Sequence, residues 1–489
     1  MGPMSVETSI QVENELLVWP QSTIAHIKLI NNGPERLTLI NPGNVKGSAS
    51  IILTDEKNGE RTLHAKLRQP EIEQPEISLD PGSQMGEVTN LSRVLQFPSC
   101  GIFELRARHE WHDGEIESEP AFVQIVPARP RAVSLTTRRG SNAGNVFAAW
   151  VNKDDGGYSL WLSEIGTNWE AQFLSSVQIV KLSGLYPPVL SVPANTIATN
   201  MYVAWIEHDK LRYVVANTEP ATIRDVALNA EGYEIVGPLF EDPYVEGTKQ
   251  DADALLYLKQ EDGWELRKVR LGADPYLEDE AFSIIGDCPL WLKNVYRASG
   301  ERMTFVLLPR SSPDGSKYVS LGVTEWDVAS RPLSIRFLQH WKGDLLCAEL
   351  VMTADNKVKG AVLMCADDQV PEYTVNGWQL GNENDFSSSP AHSIVLPMEG
   401  NAGRSLINVN GRGDTFAMIW NEARGVWYWI DERGNISPIN DLTIDAGAPV
   451  GGIFVNEVYP AILYRETDCG LKLQYLGPKL TYRPSSGAF

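Results

Sequence analysis

Short strand-like segments recur in this chain at intervals of about fifty residues, and this recurrence constrains the fold more than any other feature. The clearest copy is residues 406–430, LINVNGRGDTFAMIWNEARGVWYWI, which predicts strand, turn, strand, turn and strand. Comparable apolar runs end at seven positions: Trp150, Trp205, Tyr257, Leu308, Met364, Trp420 and Tyr464. Their successive separations are 55, 52, 51, 56, 56 and 44 residues.

Each of these runs is followed by a polar turn and another strand, and apolar runs that fit a first or a fourth strand flank several copies. First-strand candidates include PPVLSV at 187–192 and CPLWL at 288–292; fourth-strand candidates include EAQFLSSV at 170–177, PLSIRFL at 332–338 and HSIVLP at 392–397. Four strands at a period near fifty residues are typical of a β-propeller blade. We predict seven blades, with six or eight as the alternatives.

The first 127 residues carry a different pattern. Seven alternating runs at 9–12, 23–30, 48–53, 62–67, 76–79, 102–109 and 121–126 are separated by turn-rich breaks such as NNGP, NPG and DPGS. Short strands at this spacing predict an immunoglobulin-like β-sandwich, so the expected fold class is all-β: a sandwich followed by a propeller.

One segment of the sandwich carries a family resemblance. Residues 95–108, LQFPSCGIFELRAR, place a Pro-x-x-Gly turn before Phe103, Leu105 and Ala107. This resembles the penultimate-strand entry of many bacterial immunoglobulin-like domains, in which Tyr-x-Leu-x-Ala follows such a turn. Phe103 stands at the tyrosine position, and the resemblance implies fold only.

A proline-rich joint separates the two patterns. Residues 128–131, ARPR, favour extended backbone, because proline restricts both itself and the residue before it. We therefore predict a sandwich at 1–127, a linker at 128–131 and a propeller at 132–489.

The charge balance limits the class of partner. The formal net charge is −21, which argues against binding to a phosphate backbone or to anionic lipid. We therefore expect no nucleic-acid or membrane partner. A protein partner is the first expectation and a glycan is the alternative.

Cysteine usage and the N-terminal residues bear on the compartment. The 5 cysteines are widely spaced and contain no C-x-x-C pair, so neither a zinc site nor a disulfide framework is predicted. We see no signal peptide and no membrane span. The cytoplasm is the expected compartment; a secreted protein whose leader has been trimmed is the alternative.

Residues that could carry chemistry are few. His109 and His112 in HEWHDGE are close enough in sequence to suggest a metal, but positions three apart on a strand point to opposite faces. They are weak candidates, and we predict no metal site, no cofactor and no assembled catalytic set. His208 with nearby acids is a further, weaker possibility.

Other eye-catching features have structural explanations. Arg412-Gly413-Asp414 falls where a strand-to-strand turn is predicted, and Gly and Asp are residues that such turns select. The repeated aromatics are better explained as core than as a carbohydrate platform. The Asp-box of sialidases and the Gly-His and Trp-Asp pairs of WD40 repeats are not reproduced.

The function predicted from the sequence is therefore a non-catalytic protein-interaction platform. The propeller face would bind the partner and the sandwich would act as a docking arm. A glycan-binding or glycoside-hydrolysing propeller is the alternative, which requires carboxylates beside an exposed aromatic.

Overall fold

All regular structure in the described part of the chain is β-strand, as the sequence predicts, and those residues contain no α-helix. No helix among them is long and apolar enough to cross a bilayer. The computed structural model describes residues 6–21, 23–39, 49–64, 77–91, 95, 97, 100–111, 114–137, 145–166, 173–191, 201–215, 222–241, 252–272, 274–296, 302–326, 334–353, 357–366, 371–380, 388–396, 403–421, 424–442, 449–455, 459–466 and 470–475.

The chain divides into two compact units. The first comprises Met1–Pro130, Leu162–Gln178 and Arg465–Lys472; the second comprises Arg131–Trp161, Ile179–Tyr464 and Leu473–Phe489. The division after Pro130 lies within the predicted linker at 128–131. The two short later segments in the first unit were not expected from the sequence, so the predicted domain bounds stay a prediction.

The N-terminal strands form two sheets that share one core. Ile10 and Ile27 of the smaller sheet belong to the same buried cluster as Phe103 and Leu105 of the larger one. The smaller sheet has the order β1-β3-β8, and the larger follows β2-β11-β9-β4-β7 with β5, β6 and β10 attached. The strands are β1 Val6–Val12, β2 Leu16–Val18, β3 Ile24–Asn31, β4 Leu37–Leu39, β5 Ala49–Asp55, β6 Arg61–His64, β7 Ile77–Leu79, β8 Gln84–Asn90, β9 Gly101–Trp111, β10 Gly114–Glu117 and β11 Ala121–Val126.

The rest of the described chain forms sheets of consecutive strands, six with four strands and one with three. Sheet 1 is β12 Pro130–Thr137, β13 Val146–Asp154, β14 Gly157–Ile165 and β15 Phe173–Leu182; sheet 2 is β16 Val189–Ser191, β17 Tyr202–Glu207, β18 Lys210–Val215 and β19 Arg224–Ala227; sheet 3 is β20 Glu234–Glu241, β21 Ala252–Gln260, β22 Gly263–Leu271 and β23 Tyr276–Ile285; sheet 4 is β24 Trp291–Tyr296, β25 Arg302–Ser311, β26 Lys317–Glu325 and β27 Arg336–Lys342. Sheet 5 is β28 Asp344–Met352, β29 Val358–Cys365, β30 Tyr373–Leu380 and β31 Ser388–Val395; sheet 6 is β32 Arg404–Val409, β33 Thr415–Asn421, β34 Arg424–Ile430 and β35 Ile436–Leu442; sheet 7 is β36 Pro449–Val455, β37 Tyr459–Glu466 and β38 Gly470–Tyr475.

Every repeated run that the sequence analysis identified lies on the second strand of its sheet, from β13 to β37. These strands are buried on both faces; Trp150 on β13 and Trp205 on β17 are fully buried. Trp150 also stacks on Trp161 at 5.7 Å between ring centroids. The expectation that these aromatics form core is confirmed at these two positions.

The first strands of consecutive sheets lie side by side. β16, β20, β24, β28, β32 and β36 contact one another in that order. The hydroxyl of Ser134 on β12 accepts a hydrogen bond from Leu190 N on β16 at 3.0 Å. A Cβ at Gly451 on β36 would lie 2.9 Å from Leu135 Cδ1 on β12. β36, the first strand of sheet 7, therefore contacts β12, the first strand of sheet 1. Consecutive meanders joined in this way are propeller-like.

Candidate functional site

The turn between β32 and β33 holds the Arg-Gly-Asp triplet and is built around one asparagine side chain. Asn410 Oδ1 accepts hydrogen bonds from the backbone N–H groups of Arg412 at 3.0 Å and Asp414 at 2.9 Å. Gly413 has φ +93°, a left-handed conformation that favours glycine. The predicted turn is confirmed, and its geometry accounts for both Gly and Asp in the triplet.

The turn between β34 and β35 repeats the same construction. Asp431 Oδ1 accepts from the backbone N–H groups of Arg433 at 2.9 Å and Asn435 at 2.8 Å, and Gly434 has φ +84°. The two sequences, NGRGD at 410–414 and DERGN at 431–435, share the pattern Asx-x-Arg-Gly-Asx. We call these two segments the twin turns. Each presents an arginine at its third position.

The twin turns touch each other and, together with a lysine of the neighbouring sheet, line a cleft. Glu432 N donates to Asp414 Oδ1 at 3.2 Å. Lys359 on β29 donates from Nζ to the carbonyl oxygen of Arg412 at 2.5 Å. The cleft has a volume of about 510 Å³ and is lined by Lys359, Gly411, Arg412, Asp414, Asp431, Glu432 and Arg433.

Two of the carboxylates in this cleft are used inside the turns. Asp414 Oδ2 accepts from Asn410 Nδ2 at 2.9 Å, and Asp431 Oδ2 accepts from Asn435 Nδ2 at 2.8 Å. The hydrogen bonds from Asn435, first from its side chain and then from its backbone, lower the pKa of Asp431 from its ordinary value. Both carboxylates therefore hold the backbone of their turns in place while they also line the cleft.

The cationic side chains of the cleft differ from the two aspartates in their hydrogen bonding. Within the described residues, the guanidinium groups of Arg412 and Arg433 make no hydrogen bond or ion pair, and both side chains are exposed. Lys359 is held across the first twin turn. Glu432 is the one exposed carboxylate that lines the cleft. The cleft thus combines three cationic side chains with three carboxylates, and its two arginines are the exposed cations.

A second polar cluster lies at the β17–β18 turn. Ser183 Oγ is 2.6 Å from Glu207 Oε1, 3.2 Å from Tyr186 Oη and 3.4 Å from His208 Nε2. His208 has φ +56° and is the one non-glycine with positive φ among the described residues. Such strain is common at functional sites but is not evidence of one by itself.

The electrostatics of this cluster centre on Glu207. Burial opposes ionisation of its carboxylate, but hydrogen bonds from the Ser183 hydroxyl and backbone, together with the charge of Arg212, keep its pKa below the ordinary value. Arg212 Nη1 lies 2.8 Å from Glu207 Oε2. Glu207 thus binds Ser183 and Arg212 and not the ring of His208, so the nucleophile, base and orienting acid of a catalytic triad are not arranged in that order.

Of the two weak metal candidates, His109 lies within the described residues. His109 is buried on β9, where it pairs with Ala49 of β5. His112 lies outside the described residues. No group of three or more potential metal-ligating side chains occurs in the ranges given above.

Arg412, Arg433 and Lys359 were not predicted from the sequence as ligand-binding residues. The repeated five-residue pattern of the twin turns was a usable signal for Arg412 and Arg433, because it predicts two turns of equal geometry at one edge of one sheet. Lys359 had no such signal, since its place depends on how sheets 5 and 6 pack.

Comparisons with known proteins give only distant likenesses. No family model matches the chain, and no curated protein matches it. Among solved structures, a quinoprotein alcohol dehydrogenase-like protein from Bacteroides thetaiotaomicron has TM-score 0.38 and 12% identity, covering 96% of this chain and 98% of that one.

Two further solved structures are similar at the same level. The fission yeast SREBP–SCAP binding domains have TM-score 0.38 and 12% identity, covering 76% of this chain and 98% of that one. An Aleuria aurantia lectin mutant in complex with Fucalpha1-6GlcNAc has TM-score 0.33 and 9% identity, covering 73% and 98%. Since these scores are below 0.5, neither fold nor function is inferred from them.

Proposed function

We propose that this chain is a non-catalytic protein-interaction platform in which an immunoglobulin-like sandwich at 1–127 precedes a closed, seven-bladed propeller at 132–489. The succession of meanders and the contacts of their first strands, from β12 through β36 and back to β12, support the seven-bladed ring. The sandwich acts as a docking arm. The partner is a protein that binds at the twin turns.

The observation that carries this proposal is the division of charge in the cleft. The carboxylates of Asp414 and Asp431 are bound within their turns, whereas Arg412 and Arg433 face outward. An exposed, pre-arranged pair of arginines is suited to recognition of an acidic group on another molecule. It supplies no nucleophile and no general base, so it favours binding over catalysis.

The wide spacing of the cysteines supports the cytoplasm as the proposed compartment. Cys288 and Cys347 are free thiols, and thiols persist in a reducing environment.

The proposal is tested by capture from native lysate. The full chain is immobilised, and the proteins it retains are compared with those retained by the double variant Arg412→Gln/Arg433→Gln. We expect a partner that the unchanged chain retains and the double variant loses. Arg36→Gln/Arg61→Gln, which removes the same two charges from side chains that are 65% and 52% exposed in the N-terminal unit, is the matched control and should retain it.

Equal retention by the double variant would exclude the twin turns as the binding site. Turnover of a substrate by the purified chain, lost on mutation of cleft residues, would overturn the non-catalytic function.

A glycan is the second candidate ligand, because three carboxylates line the same cleft: Asp414, Asp431 and Glu432. Sugar recognition by stacking would need an aromatic side chain beside them, and the residues that line this cleft include none. A glycan array probed with the full chain distinguishes the two functions: hits that the double variant loses would favour the glycan.

A further inference from the structure

The twin turns present their arginines from a rigid and matched framework. Each turn is closed by its own Asx side chain, and the two are joined by the hydrogen bond from Glu432 N to Asp414 Oδ1. Because the backbone of the turns is already ordered, binding does not have to order it, and on this side only the arginine side chains lose freedom.

The spacing of the arginines follows from the sheet. The twin turns connect β32 to β33 and β34 to β35, in the strand order β32-β33-β34-β35. Neighbouring strands lie about 4.8 Å apart, so the centres of the two turns are separated by roughly 10 Å. Two separate anionic groups fit this spacing better than one small anion.

Lys359 adds a third cation at a defined place. Its Nζ is anchored on the Arg412 carbonyl oxygen. Its chain crosses Gly413 so closely that a Cβ there would lie 2.6 Å from Lys359 Cδ. Glycine at 413 is therefore favoured by its positive φ, and a side chain there would displace the end of Lys359.

An extended peptide offers anionic groups at the matching interval. Alternate residues of a strand point to one side and are about 7 Å apart, and the length of the arginine side chains covers the remaining difference. The guanidinium fork binds a carboxylate through two parallel hydrogen bonds. Aspartate and glutamate side chains on alternate residues therefore suit Arg412 and Arg433.

We propose that the twin-turn cleft binds an extended acidic peptide segment with carboxylates on alternate residues, one on each arginine and with Lys359 beside them. The proposal rests on the interaction function above and names the chemistry of the partner. The negative charge of Glu432, which also lines the cleft, repels such a ligand and limits the affinity.

The test uses a fluorescein-labelled peptide of alternating Glu and Ser, with the full chain and anisotropy as the readout at about 0.15 M salt, where repulsion from the net charge of −21 is screened beyond about 8 Å. Because the two arginines supply the charge-assisted hydrogen bonds to the peptide, we expect Arg412→Gln/Arg433→Gln to weaken binding by about tenfold or more. Arg36→Gln/Arg61→Gln should leave the affinity within about twofold. Glu432→Gln should strengthen binding, because it removes the opposing charge.

Three outcomes would overturn the acidic-peptide proposal: equal affinity for a Gln-Ser peptide, no loss in the double variant, or displacement of the peptide by inorganic phosphate at equal charge concentration. If the Glu-Ser peptide fails while the double variant still loses its lysate partner, the ligand chemistry is wrong and the interaction function stands. Retention of that partner by the double variant would instead refute the function.

Discussion

Gly413 and Gly434 each combine a left-handed backbone conformation with a close neighbouring side chain. Each lies at a left-handed backbone position, with φ +93° and +84°. Each also leaves room for a neighbour: Lys359 passes over Gly413, and a Cβ at Gly434 would lie 3.0 Å from His392 Cβ. Local geometry therefore explains the glycine of both turns. It does not require the arginine before that glycine, which is left available for a ligand.

His392, beneath the second twin turn, gives a pH prediction. Burial lowers the pKa of its imidazole from the ordinary value of 6.5, and the nearby charge of Asp431 opposes this only in part. The unfolded chain therefore takes up a proton more readily than the folded one. We expect the unfolding free energy to fall as pH drops below about 6.5, by less than about 1.4 kcal/mol per pH unit for this one group.

Urea titrations at about pH 7.5 and about pH 5.5 measure this effect. The variant His392→Gln cannot titrate, so its loss of stability between the two values should be smaller than that of the unchanged chain. An identical loss in both proteins would contradict the assignment to His392.

At the scale of elements, buried polar pairs join neighbouring sheets. Arg302 at the start of β25 contacts Asp253 of β21, with 2.7 Å between Nη1 and Oδ2, and both side chains are at most 7% exposed. Lys268 of β22 lies 3.9 Å from the same oxygen. Removing the close partner of a buried carboxylate lowers stability, because the charge left behind is neither compensated nor hydrated.

Arg302→Met should therefore lower the unfolding free energy by about 3 kcal/mol. The matched control is Lys210→Met, which breaks the exposed pair of Lys210 and Asp225 at 3.2 Å and should cost less than about 1 kcal/mol. Urea midpoints of the two variants give the comparison. If both variants lower the unfolding free energy by the same small amount, the pair of Arg302 and Asp253 does not hold the two sheets together.

The sequence predicted long strands well and short ones poorly. The opening repeat 406–430 forms β32, β33 and β34 in the expected order, and the fourth-strand candidates overlap β15, β27 and β31. β2, β4, β8 and β10 were missed. Three-residue β2 and β4 are too short to show a period, and β8, QMGEVTN, is too polar. Such strands form because a neighbouring strand supplies hydrogen-bond partners, which local sequence does not record.

At the scale of the whole chain, the contact between β36 and β12 distinguishes a closed ring from an open row of sheets. Gly451 provides the space for it, because Leu135 lies where a side chain would begin. Gly451→Leu should lower the unfolding free energy by about 1–3 kcal/mol through overpacking.

Gly86→Leu is the control for this change, since nothing lies within 4 Å of a Cβ at that position; it should alter stability by no more than about 0.5 kcal/mol. An unfolding midpoint for Gly451→Leu that matches the control would refute the contact that closes the proposed ring.

Sequence alone determined the class of the fold, the period of the repeat and the positions of its second strands, because strands buried on both faces must be apolar and recur where a sheet recurs. It also identified the turn at Arg412–Asp414, where backbone conformation selects glycine. Only the tertiary structure decided that Lys359 of the neighbouring sheet lies across one of these turns, that Glu432 N and Asp414 Oδ1 join the two turns, and that their aspartates bond within them while their arginines are exposed. Those facts depend on which strands pack together, and the pairing of distant segments is not encoded in any local pattern.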